Sequence, residues 1–528
     1  MPDHTRPRRA TAWMGATGLE EADAARAPGP TALEPGRLYR GITGRDDRAR
    51  PVTEEELAAL GDPMAVEFFR AGMFPTTVQD LLSGLPPTAA PSRKVYLISE
   101  AGQIPPDAIG ERDMRFAITT AVGGGQVDLL VSTQAGGDPE EGFLQVAAWD
   151  PGAKVFNFYA RLDSSWVWSG NSWHALEPES RGKGCFDSHI NGGVVMKELR
   201  IPWINWQSER ATIRLADDDP LRDDQLFQQV IGAQQLELTV RSLVTRWTAA
   251  RLAAVTANGV VDHPDRLLRH LFTSTTVNLA STDRQSSNVT ADSPDLTLPT
   301  GFWLNQDVLF DDLRLFTQAV PPRAPAARYL AALSRFGFRL EEKLSAFSQA
   351  GDTFFAFVVP EAAHEDNEVV RQLVRKQLVS ARFAACVLMV DFPNPVFSPA
   401  RSHLMRYVPT TPTKAVELCD KVAQAVSEAA RTLPADSPEG RFAGHWQVPE
   451  DDWRTVFGQR VDAYLRKVTE QIGTESGFDD YVRLAEYRRR QFRLMKLNEF
   501  ELTLPVTDIA PGAPPLAMRE DATVAEMI

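Results

Sequence analysis

The runs KVYLIS (94–99), RFAITTAV (115–122), VDLLVST (127–133), FLQVAAW (143–149) and VFNFYARL (155–162) decide the fold class of this chain. All are short and rich in β-branched or aromatic residues. The turn clusters Gly123-Gly124-Gly125, Gly136-Gly137-Asp138-Pro139 and Asp150-Pro151-Gly152 separate the later ones. Successive side chains of a strand point to opposite faces, so Phe156, Phe158 and Leu162 share one face and Asn157, Tyr159 and Arg161 the other. That pattern predicts a half-buried antiparallel sheet. The glycine triplet is read as a hairpin turn, because a phosphate loop would lead into a helix, whereas Gln126-Val127-Asp128-Leu129-Leu130-Val131 continues as strand.

Outward from these strands the pattern changes. Residues 1–36 are rich in Ala, Pro, Gly and Arg without periodicity and are expected to form a disordered tail. A helical entry segment, 37–93, carries the capping-box pattern Thr53-Glu54-Glu55-Glu56 and a short helix from Thr77 to Leu85, stopped by Pro86-Pro87. A β-rich, Trp-containing domain occupies 94–215. The helical region 216–345 contains Leu236, Val240, Leu243, Val244 and Trp247 on one stripe, in a helix that ends near Asn258-Gly259.

The region 346–505 is read as α+β to helical. Phe354–Val359, a helix from Glu365 to Ser380 and the apolar run Phe383–Val390 suggest a βαβ unit or a helix-linked antiparallel pair. Long helices follow around 414–432, 451–472 and 478–496, and 506–528 is read as a loose tail. The expected class is α+β: an antiparallel β-rich N-terminal half, as a sheet or sandwich, followed by a mainly helical C-terminal half.

Composition bounds the function. With 528 residues, two or three domains or one large α+β body are expected. The 56 basic and 70 acidic residues give a net charge of −14, which argues against broad binding to nucleic acid or anionic membranes. The three cysteines, Cys185, Cys386 and Cys419, are too few and too scattered for a disulfide framework, so a reducing, cytoplasmic setting is expected. No apolar segment follows the basic start MPDHTRPRRATAWMG, and no run approaches the length of a membrane span.

Familiar motifs are mostly broken here. His364-Glu365-Asp366-Asn367-Glu368 begins like a zinc-binding HExxH helix, but Glu368 stands where the second His belongs, which favours charge stabilisation of a helix start. Gly170-Asn171-Ser172-Trp173-His174 departs from a nucleophile elbow at its last position. Arg488, Arg489, Arg490, Arg493 and Lys496 read as a solvated helix end.

One region stands apart. Trp149, Trp166, Trp168, Trp173, Trp203 and Trp206 make up six of the 11 tryptophans and lie close together in sequence, as either a sheet core or one connected aromatic pocket wall. Within it, Asn191-Gly192-Gly193 lies between two alternating runs, a hairpin signal over Gly184–Arg200. Two registers are open. A turn at Gly192-Gly193 is preferred over one at Asn191-Gly192, because it segregates apolar from polar residues.

The preferred register sets Asp187 opposite Glu198 with Cys185, His189 and Arg200 on the same face. Asp187, His189 and Glu198 then become candidate acid–base residues and, with His174, candidate ligands of a divalent metal. Cys185 and His189, roughly 13 Å apart along a strand, are too distant to share one ion or form a nucleophile dyad. The alternative is an exposed polar face balanced by Arg200 and Lys197. Two functions are carried forward. One is an enzyme, metal-assisted or redox, acting on a small molecule in a pocket lined by Trp166, Trp168, Trp173, Trp203 and Trp206. The other is a non-catalytic ligand-binding or assembly protein that uses the Trp-rich sheet for recognition. No oligomeric state is implied.

Overall fold

The computed structural model describes residues 33–99, 114–195, 215–280, 289–341, 348–350, 356–495 and 505–527. The tail expected at 1–36 therefore lies almost wholly outside the described residues. The chain divides into two compact units. The described parts of the first are 33–99, 114–195 and 215–243, and those of the second are 244–280, 289–341, 348–350, 356–495 and 505–527. Among the described residues, no helix is long and apolar enough to cross a membrane.

The first unit is built on an eight-stranded sheet. Its strands are β1 (Leu38–Arg40), β2 (Arg50–Pro51), β3 (Lys94–Ser99), β4 (Met114–Thr120), β5 (Leu129–Gln134), β6 (Leu144–Asp150), β7 (Val155–Leu162) and β8 (Ser165–Asn171), in the order β2-β1-β8-β7-β6-β5-β4-β3. From β3 to β7 each strand pairs antiparallel with the next, as expected, and β8, which the sequence reading did not include, continues the pattern. The sheet as a whole is mixed, however: β1 runs parallel to β8, with Leu38 opposite Trp166 and Arg40 opposite Trp168. A strand of three residues is too short to show alternation, so the entry segment hid it. The glycine triplet makes the β4–β5 turn, and the Asp128 carboxylate accepts from the Val122 and Gly123 N–H groups to close it.

Both faces of β7 are covered, which corrects the half-buried expectation. On one face lie helices α1 (Glu54–Ala59), α2 (Pro63–Glu67) and α3 (Val78–Gly84) with their connections. Thr53 caps α1 through a reciprocal capping box with Glu56, and Thr77 caps α3. Asp62 caps α2, accepting from Met64 N at 2.9 Å and Ala65 N at 3.3 Å. Its other oxygen accepts from Asn157 Nδ2 at 2.8 Å and the Tyr159 hydroxyl at 2.7 Å. The two polar residues of β7 are thus buried because a helix cap reaches down to meet them.

Trp166 and Trp168 belong to this same face. Trp166 is fully buried, donates Nε1–H to the Pro75 carbonyl and lies 5.9 Å from the Phe69 ring, while Trp168 donates to Asn157 Oδ1. Trp149 pairs with Phe156 on the opposite face. The described tryptophans are therefore divided between two layers and do not form one wall.

Helix α4 (Gln234–Val255) buries Leu236, Val240, Leu243, Val244 and Trp247 as its periodicity predicts, and Gly259 adopts φ +68° just beyond its end. The second unit is mainly helical, including Ala415–Ala430, Trp453–Ile472 and Glu475–Leu494, close to the expected spans.

Three expectations for this second unit are corrected. The apolar run Phe383–Val390 is largely helix, Ala381–Leu388, capped by Ser380; a short apolar run fits a buried strand or a buried helix equally well. The strand in this region is Val359–Ala362, antiparallel to Val277–Ala280. The arginine-rich helix end is solvated only in part: Arg493 is exposed and Arg490 half-buried, but Arg488 and Arg489 are buried, and Lys496 lies outside the described residues. Arg489 pairs with Glu486 and donates to the Ala356 and Val358 carbonyls, and Arg488 donates to those of Phe302 and Pro393. Burial pulls the Arg488 guanidinium down to about 10, which leaves it charged at neutral pH. The expected loose tail is a hairpin, Leu516–Met518 with Val524–Glu526. It is held by Asn394 Nδ2 on the Met518 carbonyl and the Tyr481 hydroxyl on that of Ala522.

Candidate functional site

The segment after β8 covers the sheet face that carries Phe158. It is not the expected hairpin. Gly184–Asp187 is a 3-10 turn, His189 N donates to the Cys185 carbonyl, and Gly192 N to that of His189. Positive φ at Gly182, Gly184 and Gly192 breaks extended structure three times. Gly192, at φ +76°, lies so close to Ser172 that a Cβ would fall 2.4 Å from its carbonyl oxygen. The Asn-Gly-Gly signal therefore serves a tight cover rather than a two-stranded turn. Glu198 and Arg200, with Lys197, Trp203 and Trp206, lie outside the described residues.

Under this cover is a pocket of about 120 Å³. Its floor is the sheet: Ala117, Leu130, Ala147 and Phe158, with Arg115, Ser132 and Gln145 further along the same strands. Asp187, His189 and Val194 of the cover and Leu236 and Val240 of α4 complete it. Two expected site residues, Asp187 and His189, thus line one pocket. Arg115, Gln145 and Phe158 were missed. The available signal was alternation, which sets Arg115 with Ala117 on one face of β4 and Gln145 with Ala147 on one face of β6.

The His189 ring lies 4.7 Å from Phe158, tilted 31° to it, and its Nδ1 donates to the Gly193 carbonyl at 2.9 Å. In the neutral ring the lone pair then resides on Nε2. An Asp187 carboxylate oxygen accepts from the Ser188 hydroxyl at 2.8 Å. Burial, reinforced by Asp187, pushes the Cys185 thiol well above its ordinary value, so it is no thiolate nucleophile.

His174 stands elsewhere. Its Nδ1 accepts from Asn171 N at 3.0 Å, its ring meets Trp168 edge-on, and burial lowers it to about 4. Neither it nor Trp166, Trp168 or Trp173 is among the residues lining the pocket. Among the described residues, no three of His, Cys, Asp and Glu gather as a metal-holding group.

The run His364–Glu368 opens the helix His364–Arg375, as expected, but all five residues are buried, which its charge did not suggest. Asp366 accepts from His270 Nδ1 at 2.7 Å, from Thr275 N at 2.8 Å and from the Thr275 hydroxyl. Arg251 Nη1 lies 3.0 Å from His270 Nε2. A guanidinium can only donate, so Nε2 accepts and both ring nitrogens of a neutral His270 are engaged. The pair is a structural brace, with no lone pair left for a proton.

Compared with known proteins, the chain matches no family model, no curated protein and no solved structure.

Proposed function

We propose that this chain binds a small molecule in the pocket between the Phe158 face of the sheet, the 184–195 cover and the start of α4. One observation carries the reading: a largely apolar floor edged by a few polar side chains, Arg115, Gln145, Asp187 and His189. That is the usual make-up of a ligand site. Acid–base catalysis on the bound molecule is the second reading, favoured by the Nδ1 bond that orients His189.

The test is a thermal-shift screen of a metabolite collection against the wild type and Leu130→Trp, which fills the floor. Compounds that raise the wild-type melting temperature should leave the variant unmoved. If no compound separates the two proteins, the pocket is not a ligand seat. For the second reading, His189→Gln should abolish turnover of a bound compound while leaving its affinity within a few-fold; unchanged turnover removes it.

A further inference from the structure

We propose that the pocket takes an elongated carboxylate, its charged end on Arg115, its apolar body over Ala117, Leu130 and Ala147, and its far end beside Asp187 and His189. This rests on the pocket being a ligand seat. The register supplies the dimensions. Thr119, Leu130, Ala147 and Phe158 are successive cross-strand neighbours in one row. Three strand spacings separate the first from the last, about 14 Å. Arg115 lies four residues before Thr119 on β4, roughly 13 Å further along.

Arg115 and the His189 ring packed against Phe158 therefore occupy opposite corners of the lining. Even with the reach of an arginine side chain, one small functional group cannot touch both. A path between them over Ala117, Leu130 and Ala147 is apolar, with Ser132 and Gln145 along one side and Val194, Leu236 and Val240 also lining the pocket. A molecule that uses the whole pocket is long, apolar in the middle and polar at its ends.

Charge sets the direction. A guanidinium carries its donors in a planar fork that matches a carboxylate, and that of Arg115 lies 6.0 Å from the Phe143 ring. At the other corner Asp187 repels an anion and favours a hydroxyl, an amine or a bare chain end. The two corners together orient a carboxylate one way only.

The experiment titrates octanoate and octanol into the full chain by calorimetry, with Arg115→Gln and Ala147→Phe alongside and circular dichroism melts to confirm that both variants fold. The proposal expects saturable octanoate binding and at least tenfold weaker octanol binding. Arg115→Gln should weaken octanoate tenfold or more and leave octanol unchanged, and Ala147→Phe should abolish both. Equal binding of the two ligands, or equal weakening of both by Arg115→Gln, overturns the carboxylate assignment while leaving a ligand seat in place. Absence of binding by either ligand to the wild type overturns it as well. Octanol lost in Ala147→Phe but octanoate retained would place the anion elsewhere and sink the proposal.

Discussion

Replacing Asp62 by alanine should destabilise the first unit by about 4 kcal/mol at pH 7, and by more in acid. The α2 cap, on Met64 N and Ala65 N, is worth about 1 kcal/mol. The Asn157 amide and the Tyr159 hydroxyl are then left buried without their acceptor, at about 1–3 kcal/mol each. The pH dependence follows from burial. Although donors surround the carboxylate, its removal from water dominates and raises it from 3.8 to about 6, with the Asp150 charge adding to the effect.

An acid raised in the folded state contributes stability that is fully present below the unfolded value and is lost as pH rises through the folded one. Between 3.8 and 6 the native protein holds the extra proton. The wild type therefore gains on acidification and the alanine variant does not, so the difference between them should be about 2 kcal/mol larger at pH 4.5 than at pH 7. Urea unfolding at both pH values, followed by tryptophan fluorescence, measures it. A gap that narrows on acidification would mean that the four donors outweigh burial and would refute the reasoning. Tyr159→Phe provides the cross-check: it should cost about 1 kcal/mol in the wild type and little or nothing beside Asp62→Ala.

Other residues give equally direct tests. Trp166→Ala should cost about 3–5 kcal/mol in urea unfolding, because the side chain is fully buried and bonded to Pro75; a loss under 1 kcal/mol would contradict a core role. Arg489→Met should destabilise the second unit by about 3–5 kcal/mol by stranding the buried Glu486 carboxylate, and adding Glu486→Leu should recover part of that loss. Burial, with Arg460 beside it, lowers His445 to about 3 from 6.5. The stability it supplies by staying neutral is present above pH 6.5 and lost as pH falls toward 3. His445→Gln should therefore flatten the acid decline by up to about 1.4 kcal/mol per pH unit, read from unfolding midpoints between pH 6.5 and 4. Gly192→Ala should cost about 1–3 kcal/mol and disturb the pocket cover, since it combines φ +76° with a collision on the Ser172 carbonyl; ligand binding and melting temperature both left at wild-type values would show that the cover adapts.

Features set by neighbours a few residues apart were legible in the sequence. The Thr53–Glu56 capping box, the Thr77 cap, the Gly123–Gly125 turn, the alternation of β4 to β7 and the buried stripe of α4 all depend on local backbone chemistry and short periodicities. The α+β division followed from them. Asp187 and His189 were legible as candidates because charged residues beside an Asn-Gly-Gly turn ask for partners, yet the hairpin drawn to join them does not form over its described part.

What the tertiary structure decided depends on partners remote in the chain. Asn157 and Tyr159 are buried only because Asp62, 95 and 97 residues away, accepts from them, and no local pattern announces that bond. The parallel pairing of β1 with β8 closes over a comparable separation. Arg488 and Arg489 leave water because carbonyls of distant segments converge on them. The pocket is of the same kind: β4, β5 and β6 each contribute three or four residues and β7 contributes Phe158, the glycine-bent cover contributes Asp187 and His189, and α4 contributes Leu236 and Val240. Alternation along each strand specified which side chains share a face, but only the stacking of strands and cover turned that face into a pocket.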